Sequence, residues 1–91
     1  MLARMAVYVV RATKIPGVVH VEIDGGIPKR YVDLAGPPAG IDWAKLPQSV
    51  RVAVLAHFER MRAGEELIAR AEIARLDIPD IGAAGDMLGD S

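Results

Sequence analysis

The strongest constraint on this chain is a hairpin pattern near its N-terminus. Residues 18 to 24 alternate apolar and polar side chains and end in Asp24-Gly25-Gly26. Glycine accepts the positive φ of a tight turn, so the pattern predicts a β-hairpin with strands at residues 18–24 and 29–34. Because Pro28 cannot donate a hydrogen bond to a strand ladder, we expect the second of these strands to lie at an edge or to start at this residue.

An earlier strand is predicted over residues 5 to 12. Its side chains are mostly apolar on both faces, which is typical of a central strand. Pro16-Gly17 then supplies a turn before the hairpin. The three strands together predict an antiparallel meander with one wet face.

The chain changes to helical periodicity after Pro47. Val50, Val54, Phe58 and Met61 recur at spacings of four, four and three. An unbroken helix to residue 76 would be about 45 Å long, which exceeds the size of a domain with a radius of gyration of about 12–13 Å. Arginines before Gly64 and glutamates after it favour a break there, which would leave a helical hairpin.

The predicted fold class is therefore α+β, a three-stranded antiparallel meander followed by a helix or helical hairpin. Residues 1–76 form one domain in this interpretation. Residues 77–91 form an acidic tail rich in Gly and Asp, which contains four aspartates and no basic residue. We expect this tail to be mobile or to dock as an extended segment on a neighbour.

Composition excludes several classes of site. The chain has no cysteine, so it has no disulfide and no thiolate metal site or nucleophile. A reducing, cytoplasmic compartment fits this composition. The apolar run at residues 5–10 is interrupted by Arg11 and is shorter than a membrane span needs, so we interpret it as a strand.

Apolar side chains exceed what one small core needs. Hydrophobic residues make up 52% of the chain, and Val52 and Leu55 lie off the main helical stripe. A helix that is apolar on more than one side indicates burial by another layer or another chain. We therefore expect a homodimer, joined through the helices or by strand edges. The leading function is a non-catalytic protein-binding or regulatory module, such as an accessory subunit or an inhibitor, that occupies an unidentified partner protein. Its candidate contact residues are Trp43, Phe58, Met61 and Leu55. The first three also suit positions in the core.

An alternative function is nucleic-acid binding by a dimer. The candidate phosphate contacts are Lys29, Arg30 and Arg51, with further arginines along the helix. Those arginines alternate with glutamates, which favours a solvated, ion-paired helix surface instead.

One weak candidate for metal or acid–base chemistry lies on the hairpin. His20, Glu22 and Asp24 share one face of a strand, with successive members about 6.5–7 Å apart. A single metal ion could not easily reach all three, and a solvated strand face explains the alternation. We expect no cofactor, and we expect His57 to be a packed or interface residue beside the apolar stripe, with one nitrogen hydrogen-bonded.

Overall fold

The computed structural model describes residues 4–34, 36–65 and 71–80. Strands β1 (Arg4–Ala12), β2 (Val18–Ile23) and β3 (Lys29–Val32) come first. Helices α1 (Ile41–Lys45) and α2 (Gln48–Arg62) follow, and strand β4 (Glu72–Asp80) comes last.

The strands form one antiparallel sheet in the order β3-β2-β1-β4. The α+β class is confirmed, as are the three predicted strands, the central place of β1 and the edge position of β3. At the hairpin, Asp24 and Gly25 adopt positive φ angles of 52° and 74°. The N–H of Gly26 donates to the carbonyl of Ile23 at 2.9 Å and closes the turn.

The fourth strand corrects the prediction of a helix up to residue 76. Ala74, Leu76 and Ile78 lie opposite even-numbered residues of β1 on the face that packs against the helix. Arg75 and Asp77 alternate with them on the other face. Glu72 and Arg75 are three residues apart, a spacing that also suits an ion pair on a helix. Here they belong to the same strand and form an ion pair at 2.7 Å. Pairing with β1 therefore overrides the local helical signal.

The predicted tail begins inside this strand. Residues 77–80 belong to β4 and pair with the first residues of β1. The remainder of the tail, residues 81–91, lies outside the described residues.

Helix α2 ends at Arg62, and the chain turns at Gly64, where the sequence predicts a break. Gly64 has a φ of 88°, and its N–H donates to the carbonyl of Met61 at 3.1 Å. The N–H of Glu65 donates to the carbonyl of Arg60, also at 3.1 Å. These two bonds define a Schellman motif, which requires a left-handed residue at this position. Residues 66–70, which would begin a second helix, lie outside the described residues.

The core lies between α2 and one face of the sheet. Its fully buried members on α2 are Val50, Val54 and Phe58, and those on the sheet are Val10, Val19 and Val21. The predicted apolar stripe is thus the core face of α2, although Met61 is only half-buried. Within the described ranges, no helix is long and apolar enough to cross a membrane.

Candidate interaction surface

A shallow groove of about 310 Å³ runs beside the outer side of α2. Three of its residues, Gln48, Val52 and Leu55, are spaced by four and three along the helix and therefore share one side of it. The opposite wall comes from Trp43 of α1 and from Pro37 in the connector that precedes α1. Arg51 completes the lining. We call these six residues the α2 groove.

The α2 groove exposes apolar side chains beside the core. Val52 is 57% exposed, whereas Trp43 and Leu55 are half-buried and pack against the core. The ring of Trp43 lies tilted on the ring of Tyr31, with centroids 5.8 Å apart. Because Tyr31 is itself buried in the core, the indole is held from behind and presents its remaining surface to the groove.

The electrostatics of the α2 groove are set by one cation. Arg51 is half-buried, and among the described residues it forms no ion pair. Behind the groove, burial raises the pKa of Tyr31, and the nearby Asp42 carboxylate raises it further, so this phenol is neutral over the physiological range. The groove therefore combines apolar surface with an available positive charge.

The four predicted partner-contact residues separate into two groups. Trp43 and Leu55 both line the α2 groove. Phe58 is 1% exposed and belongs to the core, so it offers no contact surface in this structure. Met61 is half-buried and lies outside the groove. The positions of Val52 and Leu55 off the apolar stripe were the sequence signal for this side of the helix, whereas nothing local indicated that Pro37 would face it.

The three predicted nucleic-acid contacts do not share one surface. Lys29 lies opposite Val21 on the helix side of the sheet and pairs with Asp42 of α1 at 3.3 Å. Arg30, the next residue, lies on the other face of the sheet. Arg51 lines the α2 groove.

Two of the three residues considered for metal binding have structural partners. Glu22 pairs with Arg11 at 3.4 Å, and the Asp24 carboxylate accepts the N–H of Val7 at 2.8 Å. His20 lies between Arg11 and Arg30 in the strand register. In the described parts of the chain, no cluster of three or more His, Cys, Asp or Glu residues could hold a metal ion.

His57 is packed, as its sequence context predicts. It is 4% exposed, and its ring tilts against Phe58 with centroids 6.3 Å apart. Its Nε2 atom has no hydrogen-bond partner among the residues that the structure describes. Burial lowers its pKa. The Arg60 cation lowers it further, and the Glu65 carboxylate acts in the opposite direction. A neutral, buried imidazole of this kind contributes to packing.

Neither protein-family models, nor curated proteins, nor solved structures yield a match to this chain.

Proposed function

We propose that this protein is a non-catalytic binding module that occupies a partner protein through the α2 groove. The observation that carries the proposal is the exposure of Val52 beside two apolar side chains that the core holds in place, Trp43 and Leu55. Pre-positioned aromatic and aliphatic side chains are typical of the small clusters that dominate binding energy at protein interfaces.

The chemistry of the α2 groove defines the partner segment that it fits. Apolar side chains would cover Val52 and Leu55. A carboxylate would pair with Arg51, which lines the groove and forms no ion pair with the described residues. We therefore propose as the occupant a short acidic and apolar segment of another protein. A charge-assisted pair to a half-buried guanidinium adds geometric specificity to the apolar contact.

We also propose a cytoplasmic location. The absence of cysteine from the sequence supports it, because a reducing compartment offers no use for disulfide staples.

The experiment is a peptide selection with a built-in reporter. A randomised library of linear peptides is selected on the full chain and depleted on a Val52→Asp variant. Binding of the enriched peptides is followed by tryptophan fluorescence, since Trp43 is the only tryptophan. The proposal predicts peptides that combine Leu, Met or aromatic residues with Asp or Glu.

Three variants locate the binding. We expect Val52→Asp to weaken peptide binding at least about tenfold, because it removes an apolar contact. Arg51→Glu should weaken the binding of acidic peptides in particular, because it removes the positive charge that pairs with their carboxylates. Ile27→Asp is the matched control, since Ile27 is 91% exposed but does not line the groove. Failure to enrich any peptide, or equal binding to the Val52 and Ile27 variants, would refute the proposal. Binding of nucleic acid to the full chain that is weakened by Arg51→Glu would favour the alternative function.

A further inference from the structure

The outer edge of β4 can be identified from the hydrogen bonds of Val7. The N–H of Val7 donates to the Asp24 carboxylate, and its carbonyl accepts the N–H of Asp24, both at 2.8 Å. The main chain of Val7 therefore points toward β2. Main-chain direction alternates along an antiparallel strand, so the neighbouring residues Ala6 and Tyr8 point toward β4. The bond from the N–H of Ala12 to the carbonyl of Ala71 at 2.9 Å follows the same alternation.

The same alternation identifies the residues of β4 whose main-chain groups face away from β1. Asp77 lies opposite Val7, and Arg75 lies opposite Val9, so both direct their N–H and carbonyl groups outward. Pro79 also faces outward and has no N–H to offer. Within the described sheet, β4 is an edge strand of nine residues whose one neighbour is β1. An edge of this length is a template for pairing with another strand.

We infer that a second copy of this chain pairs with this edge, through an antiparallel β4–β4 contact whose two-fold axis passes through Leu76. In this arrangement Arg75 lies opposite Asp77 of the second copy, and Asp77 lies opposite its Arg75. Each such pair exchanges both of its outward backbone hydrogen bonds. The two sheets thereby join into one continuous sheet, which is self-complementary in the manner of a two-fold symmetric interface.

The charges of Arg75 and Asp77 favour this register over the two adjacent ones. Moving the axis to Arg75 places two arginines opposite each other, and moving it to Asp77 places two aspartates opposite each other. Like charges directly opposite destabilise a strand pair, whereas opposite charges stabilise it. Arg75 already pairs with Glu72 of its own strand at 2.7 Å, so in the dimer its guanidinium would lie between two carboxylates.

The apolar residues of β4 agree with the same axis. Leu76 meets its own copy on the helix side of the sheet, and Ala74 meets Ile78 of the second copy. All three are half-buried by their own chain, so a neighbouring strand would cover the remainder of each side chain. The α2 groove is lined by α1, α2 and the connector, without any residue of β4. The dimer would therefore present two grooves, and its test is independent of what they bind.

Sedimentation of the full chain tests the inference through charge reversal. The wild-type protein should form a dimer. Arg75→Asp places aspartates opposite each other, and Asp77→Arg places arginines opposite each other, so each variant should dissociate at least about tenfold more readily. The double variant R75D/D77R restores opposite charges and should dimerise again. An equimolar mixture of the two single variants should form a heterodimer, because one carries only acidic and the other only basic residues at these positions.

Two controls separate this edge from other contacts. Arg30→Asp on β3 makes the same change of charge as Arg75→Asp at the other edge of the sheet and should leave the dimer intact. Circular dichroism of each variant establishes that it is folded. A wild-type monomer at every concentration would overturn the inference, as would single variants that dimerise like the wild type. The inference would also be overturned if neither the double variant nor the mixture restored the dimer. It would likewise be overturned if Val52→Asp alone dissociated the dimer.

Discussion

Asp24 and Val7 hold each other by two hydrogen bonds, one through the Asp24 side chain and one through its backbone N–H, both 2.8 Å long. Asp24 lies just past the end of β2 and has a φ of 52°. The carboxylate therefore continues the pairing of β2 with β1 at the residue where the hairpin turns.

Removing this carboxylate should destabilise the fold. We expect Asp24→Ala to lower the free energy of unfolding by about 1–2 kcal/mol, because alanine loses the bond to Val7 and tolerates a left-handed backbone less well than aspartate. Asp24→Asn keeps an acceptor oxygen and tolerates the same φ, so its loss should be less than about 0.5 kcal/mol. Urea denaturation measures both, and equal losses would contradict this role of the side chain.

The end of α2 gives a second prediction. Gly64→Ala should cost about 1 kcal/mol of stability, since a side chain at a φ of 88° is strained. Apart from the chain neighbours, no described residue has an atom within 4 Å of the added methyl group. Gly36 is the matched control. Among the described residues it has equal space around it, and it is not one of the glycines with a positive φ, so Gly36→Ala should change stability by less than about 0.5 kcal/mol. Comparable losses in thermal or urea unfolding would exclude backbone strain as the cause.

Truncation of Phe58 should destabilise the fold far more than truncation of Val52. Phe58 is 1% exposed and Val52 is 57% exposed on the same helix. Phe58→Ala should cost about 3–5 kcal/mol, because it leaves a cavity in the core. Val52→Ala should cost less than about 0.5 kcal/mol. Should the valine substitution unfold the protein, Val52 would belong to the core and the α2 groove could not be a free surface.

The pH dependence of stability should report His57. Its pKa is lower in the folded than in the unfolded protein, so the unfolded chain binds the proton more tightly. Stability from this residue is therefore complete above the unfolded value of about 6.5 and is lost as the pH falls below it. His57→Leu removes the titration. Urea denaturation from about pH 8 to pH 5.5 should show the wild type losing more stability than the variant, and parallel curves would contradict the effect.

Most of the fold follows from local patterns, and its one large error has a physical cause. Asp24-Gly25 and Gly64 stand where positive φ is needed, so the hairpin and the end of α2 were predictable. The β4 strand was not, because Glu72 and Arg75 suit a helix as well as a strand and only the distant β1 decides between them.

The candidate site was half predictable for a similar reason. The position of Val52 off the apolar stripe indicated a second apolar side of α2. Which aromatic residue would face that side depended on how α1 and the connector fold back, and this is a tertiary outcome. Phe58 and Trp43 were therefore equal candidates in the sequence, whereas one lies in the core and the other in the α2 groove.

Binding of a partner segment to the α2 groove can be decided by one titration. A peptide selected on the wild-type chain is titrated into the wild type and into the Val52→Asp and Ile27→Asp variants while Trp43 fluorescence is recorded. We expect a Kd at least about tenfold higher for the Val52 variant and an unchanged Kd for the Ile27 variant. Equal Kd values for the two variants, or a fluorescence that does not change on binding, would contradict this expectation.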